Sequence, residues 1–271
     1  MRVRIAIAGA VIGTTAGITI SRAVRWWRSW GHDPLEAAKA LPGDELVPTP
    51  TAIDTRGITI DAPPEAVWPW LVQMGFDRGG WYSYDRLDMR GTSAEHLIPG
   101  MPELKVGDLV PTAPESGFEV RVLEPGKALT LYLDTAIVAA QAEAQAAKAS
   151  RPDIPAGLAA SSAILRTTPP DFAAAWTFVL EPLDGGRTRL IERVRVRFGV
   201  GGPAFRIVAP AMGFGVFVMM QRQMLGLRER AMRTAVAPPI VAPPVVAPPR
   251  PKSNGRAPEA TALTEVVVAA T

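Results

Sequence analysis

Residues 175–198 read AWTFVLEPLDGGRTRLIERVRVRF, two alternating runs joined at Asp184-Gly185-Gly186. Asp-Gly and Gly-Gly steps tolerate the positive φ angles that tight hairpins need. In the second run Leu190, Glu192, Val194, Val196 and Phe198 share one face, and Arg189, Ile191, Arg193, Arg195 and Arg197 share the other. The pattern predicts an antiparallel hairpin whose first face meets a core and whose arginine face meets water. Glu192 stands out as the lone charge on the apolar face.

Three further stretches upstream alternate in the same way: DLVPTA, GFEVRVLEPG and ALTLYLD. A fourth, Arg56–Asp61, places Ile58 and Ile60 on one face. After it Val67, Trp70, Leu71 and Met74 recur at helical spacing, with Asp61 as the expected N-cap, Pro69 as a kink and Gly75 as the stop. Gly79-Gly80 then allows a sharp turn, and Ser83 is placed to cap a short helix through Met89. The Ala-rich run TAIVAAQAEAQAAKAS predicts a helix inserted between two strands, a flap over the open edge of the sheet. GFGVFVMMQRQMLGLRERAMR is the longest helical pattern, with Phe214, Phe217, Val218, Gln221, Met224, Leu225 and Arg228 at 3-4 spacing. The order strand, two short helices, antiparallel strands, long C-terminal helix is an α+β arrangement in which a curved sheet grips a helix.

The ends differ from this middle. Residues 5–21 carry no charge and, as a helix, span about 25 Å, close to the hydrocarbon core of a bilayer. Trp26, Trp27 and Trp30 among Arg22, Arg25 and Arg28 suit a membrane interface. We therefore expect an N-terminal transmembrane anchor over residues 1–30, with a cleaved signal peptide or a buried helix as the alternatives. Gly9, Gly13 and Gly17 lie on one face of it, which suits a homodimer. Flanking positive charge leans toward a cytoplasmic soluble domain. Residues 31–50 read as a linker, 51–233 as the folded domain, and 234–271, with repeated V-A-P-P, as a Pro-rich disordered tail.

Composition excludes several chemistries. The 271 residues include no cysteine and two histidines, so thiolate catalysis and a His/Cys zinc site are ruled out. No metal or cofactor is expected, since no carboxylate cluster, phosphate loop or nucleophile elbow has the required spacing. A net charge of +3 is too small to argue for nucleic acid.

APPEAVWPWLVQMG, RGGWYSYD, LEPLDGGRTRLIER and MMQRQMLGLRERA together resemble the START-like, or SRPBCC, superfamily, which includes polyketide cyclases, over roughly residues 41–233. LPGDELVP resembles an uncharacterised bacterial subgroup of it. The resemblance implies a helix-grip fold with a deep apolar cavity between sheet and C-terminal helix, and a lipid or other hydrophobic ligand. It supplies no general catalytic motif.

The candidate ligand-binding residues are then Arg78, Trp81, Tyr82, Tyr84, Asp85 and Glu192. The aromatics offer apolar faces with polar handles, and Arg78 and Asp85 can orient a carboxylate or hydroxyl. The competing reading makes them a corner where helices meet sheet. Glu192, if it faces the cavity, is a desolvated carboxylate with a raised pKa; otherwise it pairs with an arginine such as Arg121 or reaches water. His96 is a weaker candidate, an isolated loop histidine. The leading expectation is a membrane-anchored binder of a hydrophobic small molecule or lipid. The alternatives are a cyclase, dehydratase or hydrolase on the same scaffold, and a structural protein whose own aromatics fill the cavity.

Overall fold

A computed structural model describes residues 24, 26–85, 92–114, 116–149, 171–199 and 203–236. The elements run α1 (Pro34–Ala38), β1 (Ala52–Ile60), α2 (Pro64–Val72), β2 (Leu109–Ala113), β3 (Ser116–Glu124), β4 (Ala128–Asp134), α3 (Thr135–Ala149), β5 (Phe172–Leu183), β6 (Arg187–Phe198) and α4 (Pro203–Val236). The six strands form one antiparallel sheet in the order β1-β6-β5-β4-β3-β2. Register shifts between Pro111 and Ala113 and between Val120 and Val122 bend its β2–β4 side.

The hairpin of residues 175–198 forms two interior strands of this sheet, between β1 and β4. Its core face carries Phe178, Leu180 and Leu190, which share one apolar cluster with residues of α2 and α4, and the buried Glu192. From α2 come Val67, Trp70 and Leu71, and from α4 come Phe217, Met220, Met224, Leu227 and Ala231. The α4 stripe thus runs 217, 220, 224, 227, 231. Phe217 and Met224 match the sequence expectation, but Phe214 is 46% exposed and lies off the buried face. The stripe is shifted because two polar residues are buried within it. Gln223 contacts the Met74 sulfur, and Arg230 is held by Ala94 O at 2.8 Å, Glu95 at 2.8 Å and the Tyr82 ring at 4.8 Å. Hydropathy alone discards such positions.

Most of the arginine face of β6 does not meet water; only its far end, at Arg197, stays partly exposed and pairs with Asp171 at 2.8 Å. Residues 33–47, read from composition as linker, lie across it. Arg193 is 2% exposed and uses all three guanidinium nitrogens: Nε on Thr55 Oγ1, Nη1 on Lys39 O and Asp44 Oδ2, Nη2 on Glu36 O and Ala37 O. Arg189 makes a bidentate pair with Glu36 at 2.6 and 2.8 Å, and Arg195 donates to Val47 O at 3.0 Å. A guanidinium has donors enough to satisfy several carbonyls at once, so the backbone acceptors of Glu36, Ala37, Lys39 and Val47 are met here by side chains of β6. Gly43, at φ 87°, brings the strap so close that a Cβ there would lie 2.4 Å from Thr130 Cγ2.

Other expectations are adjusted. Helix α2 has Pro63 as N-cap with no side-chain cap, because Pro64 opens it and needs no donor partner; Asp61 is exposed and Gly75 lies past the last helical residue. The Ala-rich run is the helix α3. Gln141 pins it to both backbone atoms of Gly117 and Gln145 to Pro114 O, at the β2–β3 edge. Trp26, Trp27 and Trp30, expected at a lipid interface, have ring contacts with α4: Trp26 and Trp30 with Phe217 and Trp27 with Phe214. Arg28, expected to snorkel, pairs with Asp54 at 2.6 Å. Among the described residues no helix is long and apolar enough to cross a membrane. Residues 1–23 of the expected anchor, with Gly9, Gly13 and Gly17, lie outside the described residues, as does most of the short helix expected through Met89. Of the Pro-rich tail expected over 234–271, residues 234–236 are the last of α4 and the rest lie outside the described residues.

Candidate functional site

A cavity of about 330 Å³ lies between the core face of the sheet and α4. Trp81, Phe118, Trp176, Val216, Met219 and Met220 supply most of its wall, and Ser83, Thr112 and Gln223 its polar atoms. The strand contributions follow from period two. Trp176 and Ala174 sit on the face that carries Phe178 and Leu180, and Val194 on the face that carries Leu190 and Glu192. Gln223 is 2% exposed and its Oε1 has no hydrogen-bond partner. None of the described lining residues carries a titratable side chain.

The turn of residues 75–85 forms one rim. Gly75 and Gly80 exchange two backbone hydrogen bonds at 3.1 Å, closing the loop. Tyr82 takes φ 56°, a conformation that costs a non-glycine residue about 1 kcal/mol. Its N–H donates to Ser93 Oγ at 3.1 Å, its hydroxyl to Trp70 O at 3.1 Å, and Arg230 covers its ring. Burial pushes the phenol pKa well up, so the proton stays on the oxygen. With Tyr82 fixed, the neighbouring Trp81 is turned inward and stacks on Trp176, centroids 5.4 Å apart and planes at 16°. Trp81 is therefore the only one of the six sequence candidates on the cavity wall. Arg78 closes the end of α2 through Val72 O at 2.9 Å, and Asp85 accepts from Ser93 Oγ at 2.6 Å. Tyr84 is 43% exposed and, like Tyr82, Arg78 and Asp85, does not line the cavity. His96 is exposed.

Glu192 lies one pleat beyond the cavity, 0% exposed. Its Oε1 accepts from Trp176 Nε1 at 2.7 Å, and its Oε2 has no hydrogen-bond partner. Directly opposite in the β1–β6 ladder stands Arg56, also 0% exposed. Arg56, not Arg121, is the arginine that faces Glu192; Arg121 pairs with Glu119 at 3.0 Å. Burial pushes the Glu192 carboxyl up to about 7, against the opposing pull of Arg56 and of the Trp176 hydrogen bond, with Asp54 adding a smaller upward push. Arg56 touches Met220 Sδ at 3.4 Å through Nη1, sits 5.5 Å over the Phe217 ring, and has Asp54 Oδ2 at 3.5 Å from Nη2. Its Nε and Nη2 lack hydrogen-bond partners. The sequence reading passed over Arg56, although it shares the parity of Ile58 and Ile60 and so had to face the core.

No family model matches the chain, and no curated protein matches it. Solved structures do. A protein from Mesorhizobium loti is 17% identical over 66% of this chain and 98% of its own, with a TM-score of 0.31. One from Chromobacterium violaceum is 14% identical over 66% of this chain and 96% of its own, with a TM-score of 0.33. The di-domain ARO/CYC protein BexL is 15% identical over 72% of this chain and 54% of its own, with a TM-score of 0.31. The described architecture itself, a six-stranded antiparallel sheet with a long C-terminal helix across one face, is the α+β arrangement that the START-like resemblance implies.

Proposed function

We propose that the chain binds a hydrophobic small molecule or lipid in the cavity between sheet and α4, and that its N-terminal segment tethers it to a membrane. The observation that supports binding is the wall itself: tryptophan, phenylalanine and methionine around about 330 Å³, with Ser83, Thr112 and Gln223 as its polar residues. An apolar cavity with one or two polar anchors suits a carrier or sensor. An enzyme needs at least two titratable groups meeting at the ligand, and the described wall residues supply none. The near-neutral titration of Glu192 is what favours the enzyme reading, but Trp176 stands between it and the cavity.

The tether is supported by the uncharged run of residues 5–21 and by the arginine- and tryptophan-rich segment after it. Trp26, Phe214 and Val216, between 46% and 56% exposed, form an apolar surface beside the cavity, through which a membrane-dissolved ligand would enter. Native mass spectrometry of the full chain, released from detergent, tests the binding reading. A stoichiometric apolar molecule in organic extracts is the expected result; an empty cavity after purification from its own host, with no uptake of added lipid, counts against it. Retention in the membrane fraction after an alkaline wash tests the tether.

A further inference from the structure

The Arg56–Glu192 pair is separated from the cavity by a single layer of side chains. Trp176 lines the cavity and donates to Glu192. Met220 lines it and touches Arg56 Nη1. Methionine is unbranched and changes rotamer readily, so a turn of Met220 joins the cavity to the guanidinium.

The pair is also unbalanced. Arg56 Nε and Nη2 are the side-on edge of a guanidinium, two parallel donors spaced for the two oxygens of a carboxylate. Both lack a hydrogen-bond partner in a site that excludes water, and Asp54 Oδ2 approaches Nη2 only to 3.5 Å. Glu192 offers one free oxygen, Oε2, across the ladder. Asp54 divides its charge between Arg56 and Arg28. With Glu192 protonated, two arginines face one aspartate, so the cluster lacks one negative charge and one acceptor group.

Building on the cavity reading above, we propose that the ligand is an apolar carboxylic acid whose carboxylate sits side-on against Arg56 Nε and Nη2 and accepts a hydrogen bond from the protonated Glu192 Oε2, with its hydrocarbon body in the cavity. Binding draws one proton onto Glu192 from solvent. The charged groups acting on Glu192 are Arg56 and Asp54, both of β1; β5 presents the Trp176 indole, and α4 presents Met220 and Phe217 to Arg56, neither of which titrates.

Calorimetric titration of the full chain with decanoate and with 1-decanol, from about pH 6 to 9, tests this; decanoate stays ionised throughout that range. Decanoate is expected to bind at least about tenfold more tightly than decanol at the acid end. Its affinity should fall about tenfold per pH unit once the pH passes the Glu192 midpoint, as one-proton linkage requires. Glu192→Gln should abolish that slope, and Arg56→Met should abolish the preference for decanoate. Should Arg56→Met fail to fold, the slope in Glu192→Gln still decides. Decanol binding as well as decanoate, or a slope that survives in Glu192→Gln, overturns the carboxylate site and leaves the cavity. Binding of neither probe overturns the cavity reading as well.

Discussion

Glu192→Gln should make the protein more stable in alkali than its parent and no different in acid. Gln keeps the acceptor for Trp176 Nε1 and copies the shape of the protonated acid, so the two proteins differ only when Glu192 must ionise. The carboxyl, ordinarily near 4.5, is raised to about 7 when folded. A raised acid pKa means that the native state holds the proton more tightly than the unfolded chain. Its contribution to stability is complete below the unfolded value and is lost progressively as pH rises to the folded one, after which the curve is flat. The gap converts to roughly 3 kcal/mol. Groups of opposite sign, such as Glu36, lowered through its pairing with Arg189, are present in both proteins and cancel in the difference. Urea unfolding of both, from about pH 4 to 8.5, should show equal midpoints at the acid end and a difference that opens across this window. A constant difference, or a parent that gains on the variant as pH rises, would refute the reasoning; the second result would mean that Arg56 and Glu192 form a close ion pair.

Asp44→Asn removes the negative charge that Arg193 Nη1 meets, while the backbone acceptors of Arg193 remain, so a loss of about 1–2 kcal/mol in urea unfolding is expected. Gly43→Ala forces a Cβ onto Thr130 at φ 87°; a loss of about 2 kcal/mol is expected, partly restored by Thr130→Ser, with early protease cleavage in residues 33–47 as the readout. Gly226 of α4 lies against the Tyr82 carbonyl, where a Cβ would come within 2.2 Å, so Gly226→Ala should lower the thermal midpoint sharply despite its better helix propensity. Ala174→Phe should fill the cavity and cut binding of an apolar probe such as decanol at least about tenfold, with the far-UV circular dichroism of the parent retained.

The strands, the hairpin turn and the long helix are legible because each repeats its own period over many residues. Residues 56, 58 and 60 of β1 face the same way, so an arginine in the core was readable, but hydropathy reasoning skips charged residues at apolar positions. Glu192 was visible because it interrupts four apolar neighbours, whereas its opposite number could be found only by knowing that β1 pairs with β6, a contact more than a hundred residues apart in sequence. The arginine face of β6 was misread for a related reason. Alternating arginines have the pattern of a solvated face, and nothing local says that a preceding segment supplies carbonyls and carboxylates to cover them. The loop of residues 77–85 was readable as aromatic and turned, but not which ring points inward. That follows from the positive φ of Tyr82 and from partners on α2 and α4.

The strap of residues 33–47 has a mechanical meaning. A tension applied at the N-terminus, as by an attachment to a moving surface, enters the domain along that strap and loads the bonds from Arg189, Arg193 and Arg195 together. A row of bonds pulled at once resists far better than one opened singly, and the load falls on β6, which is held on both sides by β1 and β5. The smallest piece of chain that can be handled on its own therefore begins before Asp33. A cut at residue 41 would strip Arg189 of Glu36 and leave the Arg193 guanidinium with only part of its partners.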